Sequence, residues 1–125
     1  MKKLIVSTLL LVSVVTALAS CGRHREKGPQ ISPTAYSAVL LDNNQVYFGK
    51  LDKADTPYPV LTDVYYIQSQ VNQETKAVTN ILVRRGNEWH GPDRMYLNTR
   101  HILFIEPVGP NSKVSQLIEA DKNKH

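Results

Sequence analysis

The densest group of side chains capable of chemistry lies in the short stretch from Glu88 to Arg94. It combines two carboxylates, an imidazole, an indole and a guanidinium around Gly91 and Pro92. Glycine and proline at these positions predict a loop, and loops held on a rigid scaffold often carry binding residues. The candidate binding residues of this loop are Glu88, Trp89, His90, Asp93 and Arg94.

One interpretation of this loop is a metal or small-ligand site. Imidazole and carboxylate groups suit zinc and similar ions, so His90 could join Glu88 or Asp93, together with His101 from further along the chain. The spacing does not match a zinc motif such as His-Glu-x-x-His. We therefore predict no bound metal and no other cofactor, and keep ligand binding by this loop as the alternative function.

The other interpretation is a structured turn without a ligand. Asp93 would then pair with Arg94 or cap a turn, because a carboxylate and a guanidinium lie next to each other. Trp89 would cover the open end of a small β-barrel, and His90 would hydrogen-bond to the backbone. A structure separates the two interpretations, since only the first requires Glu88, His90 and His101 to converge.

Catalytic machinery is sparse in this sequence. The motif Gly-x-Ser-x-Gly, which surrounds the nucleophilic serine of many hydrolases, does not occur around Ser37, Ser69, Ser112 or Ser115. Gly86 and Gly91 are too far apart for a phosphate-binding loop, and no Lys-Ser or Lys-Thr pair follows them. The sequence predicts a protein that is not an enzyme, and a hydrolase is only the third hypothesis.

Tyrosines are unusually prominent among the aromatic residues, six against two Phe and one Trp. Tyrosine suits surfaces where one end of the ring is apolar and the other is wet. Four of them are candidate interface residues: Tyr47, Tyr65, Tyr66 and Tyr96. Strand alternation places Tyr65 and Tyr66 on opposite faces, so at least one should reach the surface. The alternative is that these rings complete a small core.

The N-terminus carries the most specific motif. Two lysines follow Met1, and the segment from Leu4 to Ala19 contains no charged residue. A basic start followed by a short apolar run is typical of a secretory signal peptide. The run is also shorter than the roughly 20 residues that a membrane-spanning helix needs. Two interpretations of this segment do not involve lipid: a plain signal peptide, and an uncleaved anchor in which the cysteine at position 21 occurs by chance.

The sequence Leu18-Ala19-Ser20-Cys21 resembles the lipobox of bacterial lipoproteins. This resemblance implies cleavage between Ser20 and Cys21, a diacylglyceryl group on the Cys21 sulfur, and attachment to a membrane through that lipid. Several acyl chains give stable anchoring where one is marginal. Gly22 occupies the position where an Asp retains enterobacterial lipoproteins in the inner membrane. The absence of Asp at this position favours the outer membrane, with the domain facing the periplasm.

Composition limits the remainder of the chain to one small domain. The 125 residues suffice for a single domain, and one cysteine excludes an internal disulfide. The formal net charge is +4. Cleavage after residue 20 removes two of the 15 basic residues and none of the 11 acidic ones, which leaves +2. This modest charge, together with export, argues against a nucleic-acid partner.

Short β-prone runs separated by turns predict a mainly β domain over residues 35–120. A lipidated cysteine and flexible tether at 21–34 would precede it, and a polar tail at 121–125 would follow. Gly49 inside a strand indicates a bulge, a bend or a close backbone approach. Asn111 or Ser112 would cap a short C-terminal helix. We expect five or six strands in a small antiparallel, barrel-like sheet, in the segments Tyr36–Leu41, Val46–Leu51, Val60–Val71, Val78–Arg85, Met95–Leu97 and Ile102–Ile105.

Two resemblances refine this expectation. The order of strands over roughly residues 36–106 resembles the Sm-like small barrel, although the RNA-binding loop signature of that family is missing. Segments 45–51, 58–66 and 90–98 resemble an uncharacterised family of small membrane-anchored proteobacterial envelope proteins. That second resemblance implies an envelope location but no activity. The sequence thus predicts an outer-membrane-anchored periplasmic lipoprotein, acting as a non-catalytic binding or accessory module for an envelope protein partner.

Overall fold

The computed structural model of the chain describes residues 30–32 and 35–124. The predicted signal peptide (1–20), the lipobox with Ser20 and Cys21, and most of the predicted tether therefore lie outside the described residues. No helix within the described ranges has the length and hydrophobicity that crossing a bilayer requires.

The described residues form six strands and one α-helix. A 3₁₀ turn at Thr99–His101 lies between the fifth strand and the sixth. The elements are β1 (Tyr36–Leu41), β2 (Val46–Asp52), β3 (Val60–Val71), β4 (Val78–Arg84), β5 (Arg94–Tyr96), β6 (Ile102–Pro107) and α1 (Lys113–Lys122). The prediction of a mainly β domain with a short C-terminal helix is confirmed.

All the strands belong to one antiparallel sheet with the order β4-β3-β2-β1-β6. The twelve-residue β3 serves two partners on the edge that faces away from β2. Its first half pairs with β5 and its second half with β4. Among the described residues no ladder joins β6 to β4 or β5. The sheet therefore keeps free strand edges, although a barrel closed by hydrogen bonds would have none.

A β-bulge in β3 determines which side chains share a face. Leu61 and Val64 are three residues apart, yet both are buried in one cluster with Val39 and Leu51. Regular alternation places residues two apart on one face, so one extra residue must lie between them. Asp63 is that residue: its φ is 51°, and the pairing with β2 shifts register between Phe48 and Lys50. We call this group of buried residues the Leu61 cluster.

The opposite face of the sheet carries a second, smaller core. Phe48 and Tyr65 pack there against Ile118 of α1, and we call this group the Tyr65 cluster. Ser112 begins the helix as its N-cap, since its side chain accepts a hydrogen bond from the backbone N–H of Ser115. The helix continues to Lys122, two residues past the predicted domain boundary at residue 120.

Gly49 allows β2 and β3 to approach each other closely. A Cβ atom on Gly49 would lie 2.7 Å from Leu61 Cγ and 2.8 Å from the carbonyl oxygen of Thr62. Real Cβ contacts do not occur at these distances, so only a glycine fits without a shift of its neighbours. Of the three alternatives that the sequence left open at Gly49, these contacts correspond to the close backbone approach.

Candidate functional site

Glu88 braces the turn that begins the predicted binding loop. Its Oε1 accepts a hydrogen bond from Nε of Arg85 at 2.7 Å, and its Oε2 accepts one from the backbone N–H of Gly86, also at 2.7 Å. The Gly86 N–H and, after it, the Arg85 guanidinium lower the pKa of Glu88 to about 2. A carboxylate that accepts two such bonds is occupied within its own turn, as the structured-turn interpretation requires.

Asp93 and Arg94 form the pair expected from their adjacency. Nη2 of Arg94 donates to Oδ2 of Asp93 at 2.6 Å, and this contact holds the pKa of the Asp93 carboxyl below its usual range. Trp89 is fully exposed, so the expectation that its ring covers the end of the domain is wrong. His90 is exposed as well. Three of the five loop residues are therefore held in ion pairs, Glu88 with Arg85 and Asp93 with Arg94. The other two, Trp89 and His90, are exposed rings.

His101 does not join the loop in a metal site. Its Nδ1 lies 2.7 Å from Oδ2 of Asp42, a residue of the turn that connects β1 to β2. Nowhere in residues 30–32 and 35–124 do three or more His, Cys, Asp or Glu side chains come together as metal ligands. The alternative function therefore gains no geometric support from the predicted ligands Glu88, His90 and His101.

The four candidate interface tyrosines do not form one surface. Tyr65 is only 1% exposed, so its assignment to an interface is wrong: the bulge at Asp63 turns its ring under α1. Tyr66 lies on the opposite face, as predicted, and its ring packs 6.4 Å from that of Tyr47. Tyr96 is exposed on β5. One ring is thus core, two form a half-buried pair, and one is exposed at the surface.

The bulge residue Asp63 organises a charged cluster that the sequence did not predict. Its carboxylate accepts a hydrogen bond from the hydroxyl of Tyr36 and another from Nη2 of Arg84 at 3.0 Å. Nζ of Lys50 lies 3.8 Å from the same carboxylate. Two cations and a phenol therefore share one carboxylate, whose side chain is only 17% exposed. We call these four residues the Asp63 cluster.

Cations and aromatic rings continue the Asp63 cluster toward α1. Nζ of Lys122 lies 4.9 Å from the ring centroid of Tyr36 and Nζ of Lys50 lies 5.6 Å from it, distances typical of cation–π contacts. The Tyr65 hydroxyl donates to Oδ2 of Asp121 at 3.1 Å. Burial first, and then the hydrogen bond to Asp63, raise the pKa of Tyr36 above its usual value. Both phenols are therefore held in their protonated form.

A groove of about 870 Å³ opens beside the Asp63 cluster. The loop after β4 forms one wall, the end of α1 forms another, and the cluster forms the floor. Residues of the predicted loop, Asp93 and Arg94, thus border the groove, whereas Glu88, Trp89 and His90 do not. The lining residues are Lys50, Asp63, Val64, Leu82, Val83, Arg84, Arg85, Gly86, Asn87, Pro92, Asp93, Arg94, Met95 and Asp121.

Cationic side chains outnumber carboxylates in the lining of this groove, four (Lys50, Arg84, Arg85 and Arg94) against three. Its three carboxylates already accept protein donors: Asp63 from Tyr36 and Arg84, Asp93 from Arg94, and Asp121 from Tyr65. A guanidinium has five N–H donors and an ammonium three, more than these contacts use. The groove therefore presents donors to whatever enters it, and it suits a ligand that carries carboxylate or phosphate groups.

The alkaline stability of the domain should report the contact between Tyr65 and Asp121. Burial, followed by the hydrogen bond to Asp121, raises the pKa of Tyr65 to about 12 from 10.0. Because the folded state holds this proton more tightly than the unfolded state, the stabilisation is complete below pH 10 and is lost as the pH rises toward 12. Urea unfolding at a series of pH values should show a shallower loss for Tyr65→Phe than for the wild type.

Tyr58→Phe is the matched control for this titration, because it removes a phenol hydroxyl from an exposed ring. It should lose stability with pH as steeply as the wild type. An identical slope for wild type and Tyr65→Phe would contradict the assignment.

Sequence reasoning missed the Asp63 cluster because its members are far apart in the chain. Tyr36 and Asp63 are separated by 27 residues, and Asp63 and Arg84 by 21. The one available signal was an aspartate inside the β-rich run Val60–Val71, since aspartate is depleted in regular strands and tolerates a left-handed backbone.

Comparisons with known proteins add no identity to this geometry. A scan against protein-family models gave no match, and a search of curated proteins gave none either. What the chain does must therefore be argued from its own residues.

Proposed function

We propose that this chain is a lipid-anchored lipoprotein of the bacterial outer membrane, facing the periplasm, whose β domain is a non-catalytic binding module of an envelope complex. The anchor rests on the sequence Leu18-Ala19-Ser20-Cys21. The binding role rests on the groove beside the Asp63 cluster. The partner would be an envelope protein that inserts an acidic segment into this groove.

The observation that carries the binding role is the sharing of one carboxylate by two cations. Lys50 and Arg84 both pair with Asp63, and their side chains remain 37% and 47% exposed at the groove. Asp63 cannot saturate both, because Lys50 stays 3.8 Å away. An incoming carboxylate would complete their hydrogen bonding, and charge-assisted bonds of this kind are the stronger ones in proteins.

The lining of the groove also supports a binding role over catalysis. Its fourteen residues include no serine, cysteine or histidine, the residue types that most often act as nucleophile or general base. Its carboxylates are bound to donors within the protein. These groups are arranged to hold charge in place, which is what recognition of a charged segment needs.

The anchor is tested by the mass of the mature protein purified from membranes. The wild type should begin at Cys21 with a diacylglyceryl thioether, and it should partition with membranes. Cys21→Ser should keep neither the lipid mass nor the lipoprotein cleavage. An unmodified thiol at Cys21 in the membrane fraction would show that the anchor proposal is wrong.

The groove is tested with peptides of opposite charge. A glutamate-rich peptide should bind the full-length chain in a titration calorimeter, with an affinity that falls as salt rises, and a lysine-rich peptide should not bind. Arg84→Gln should weaken binding about tenfold, which corresponds to roughly 1.4 kcal/mol. Arg100→Gln, an exposed substitution outside the groove lining, is the matched control and should bind as the wild type does.

Two outcomes would overturn the binding role. One is equal affinity for the acidic and the basic peptide. The other is unchanged binding by an Arg84→Gln variant whose circular dichroism shows that it is folded. Crosslinking in cells with the wild type and Arg84→Gln would then identify the natural partner as the protein captured by the first and not by the second.

A further inference from the structure

The second half of β3 and the greater part of β4, from Val78 to Leu82, form a hairpin that projects from the domain. Every residue from 67 to 80 is exposed, including the apolar side chains of Ile67, Val71 and Val78. We call residues 67–82 the arm. Leu82 at the base of the arm packs against the Tyr65 cluster, and the exposed remainder is a two-stranded hairpin of the kind that is marginally stable in water. The arm thus carries the apolar residues of a protein contact surface, and these residues are exposed to solvent.

The apolar residues of the arm lie on one face. In the register of the two strands Ile67 pairs with Leu82, and Val71 pairs with Val78. Between these pairs Oγ of Ser69 donates to Oδ1 of Asn80 at 2.7 Å. Because residues two apart share a face, the four apolar side chains form a single stripe along the arm.

The outer edge of β4 offers unpaired backbone groups in a known pattern. Arg85 donates its N–H to the carbonyl of Val64, and the carbonyl of Ala77 accepts from Asn72, so odd-numbered residues turn toward β3. In an antiparallel strand the N–H and C=O of one residue point to the same side. The residues that present both groups to the free edge are therefore Val78, Asn80, Leu82 and Arg84.

This edge lacks the protection that free strand edges usually carry. Natural edges are blocked by charged residues, prolines or bulges. The edge strand β6 has them: a register shift opposite Leu40 and Leu41, then Glu106 and Pro107 at its end. β4 has no proline and no register shift, and its one charged residue, Arg84, is the last of the strand.

We infer that β4 pairs antiparallel with β4 of a second copy of this chain, around a two-fold axis at Ile81. That register uses all four outward-facing residues, since Val78 meets Arg84 of the other copy and Asn80 meets Leu82. No charge meets a like charge directly, because each Arg84 lies opposite a valine. The turn at the tip contributes one acid, Glu74, and one base, Lys76, so the arms carry no net charge against each other.

The charge pattern of the β4 edge favours a second copy as the occupant, because its one charged residue, Arg84, lies opposite Val78 of the other copy in the register about Ile81. A two-fold interface requires that one patch match itself, and this register pairs all the outward-facing backbone groups of the two strands. Pairing would also place the apolar stripes of the two arms on the same face of one continuous sheet. This inference concerns the β4 edge and does not depend on the lipid anchor, although Leu82 and Arg84 of that edge also line the groove.

A disulfide at the two-fold axis tests the register. At Ile81 the two chains would form a pair without mutual hydrogen bonds, whose Cα atoms lie about 4.5 Å apart, within the range that a disulfide spans. The full-length chain with Cys21→Ser and Ile81→Cys should form disulfide-linked dimers under mild oxidation. Thr79→Cys in the same background is the matched control. Its cysteines would lie four residues out of register, so its dimer yield should be at least about tenfold lower.

Asn80→Pro gives a second measurement that does not depend on a disulfide. Its N–H points to the free edge, so proline removes a backbone bond to the second copy and no backbone bond to β3. The substitution also removes the side-chain bond that Asn80 accepts from Ser69 of β3. The chain with Cys21→Ser should sediment as a dimer at about 100 μM, and Asn80→Pro should sediment as a folded monomer. A monomeric parent, or equal disulfide yields at positions 81 and 79, would overturn the inference. So would a crosslinker at residue 81 that captures another protein in place of a second copy.

Discussion

Gly49→Ala is expected to destabilise the folded domain by about 3 kcal/mol, which is a large loss for a single methyl group. The new Cβ would lie 2.7 Å from Leu61 Cγ and 2.8 Å from the carbonyl oxygen of Thr62. Leu61 is fully buried in the Leu61 cluster, and the carbonyl belongs to the backbone of β3. Neither neighbour can give way cheaply, so β2 and β3 must separate at the point where β3 also bulges.

Urea unfolding measures this effect, and Gly109→Ala is its control. No atom lies within 4 Å of a Cβ at Gly109, and its backbone is outside the left-handed region, so alanine there should change stability by less than about 0.5 kcal/mol. If the two alanine variants unfold at the same urea concentration, the close approach of β2 to β3 does not exist in solution.

Ile118→Ala is expected to cost about 3 kcal/mol, because its side chain is 1% exposed and holds α1 against the sheet. It is the one helix residue in the Tyr65 cluster that is fully buried, between Phe48 and Tyr65. Loss of this contact should release the end of α1, including Asp121, from the wall of the groove. The adjacent Leu117 is 37% exposed, so Leu117→Ala should cost no more than about 1 kcal/mol.

Two measurements separate helix release from a general loss of stability. Urea unfolding should place Ile118→Ala well below Leu117→Ala. Spectroscopic titration of the phenols in the still-folded Ile118→Ala variant should show the pKa of Tyr65 falling from about 12 toward its ordinary value of 10.0, since burial and Asp121 no longer hold its proton. An unchanged titration of Tyr65 would mean that the helix stays docked without Ile118.

Local features of this protein could be predicted from its sequence. Asp93 pairs with the next residue, Ser112 caps the helix that it begins, and Gly49 lies where two strands approach. Each of these features depends on residues adjacent in the chain or on a property of one residue type, such as the absence of a side chain in glycine. The lipidation of Cys21 stays a prediction. It would depend on local sequence in the same way, because a peptidase and a transferase would recognise a short extended segment.

The bulge at Asp63 shows where prediction from the sequence ends. Alternation alone predicted that Tyr65 and Tyr66 lie on opposite faces, which is confirmed. It did not predict which of them is buried, because one extra residue in β3 exchanges the two faces for every residue that follows. The bulge exists because strand pairing with β2 and the burial of Leu61 and Val64 outweigh the cost of a positive φ at Asp63.

The sequence by itself determined the class of the fold, the positions of its strands along the chain and the residues available to a site. It did so because hydrophobic spacing and turn residues act over a few positions. Only the tertiary structure decided that Asp63 gathers Tyr36, Lys50 and Arg84, that His101 binds Asp42, and that the β4 edge stays open. Those contacts depend on register and on the packing of α1, which bring together side chains that are tens of residues apart in the chain.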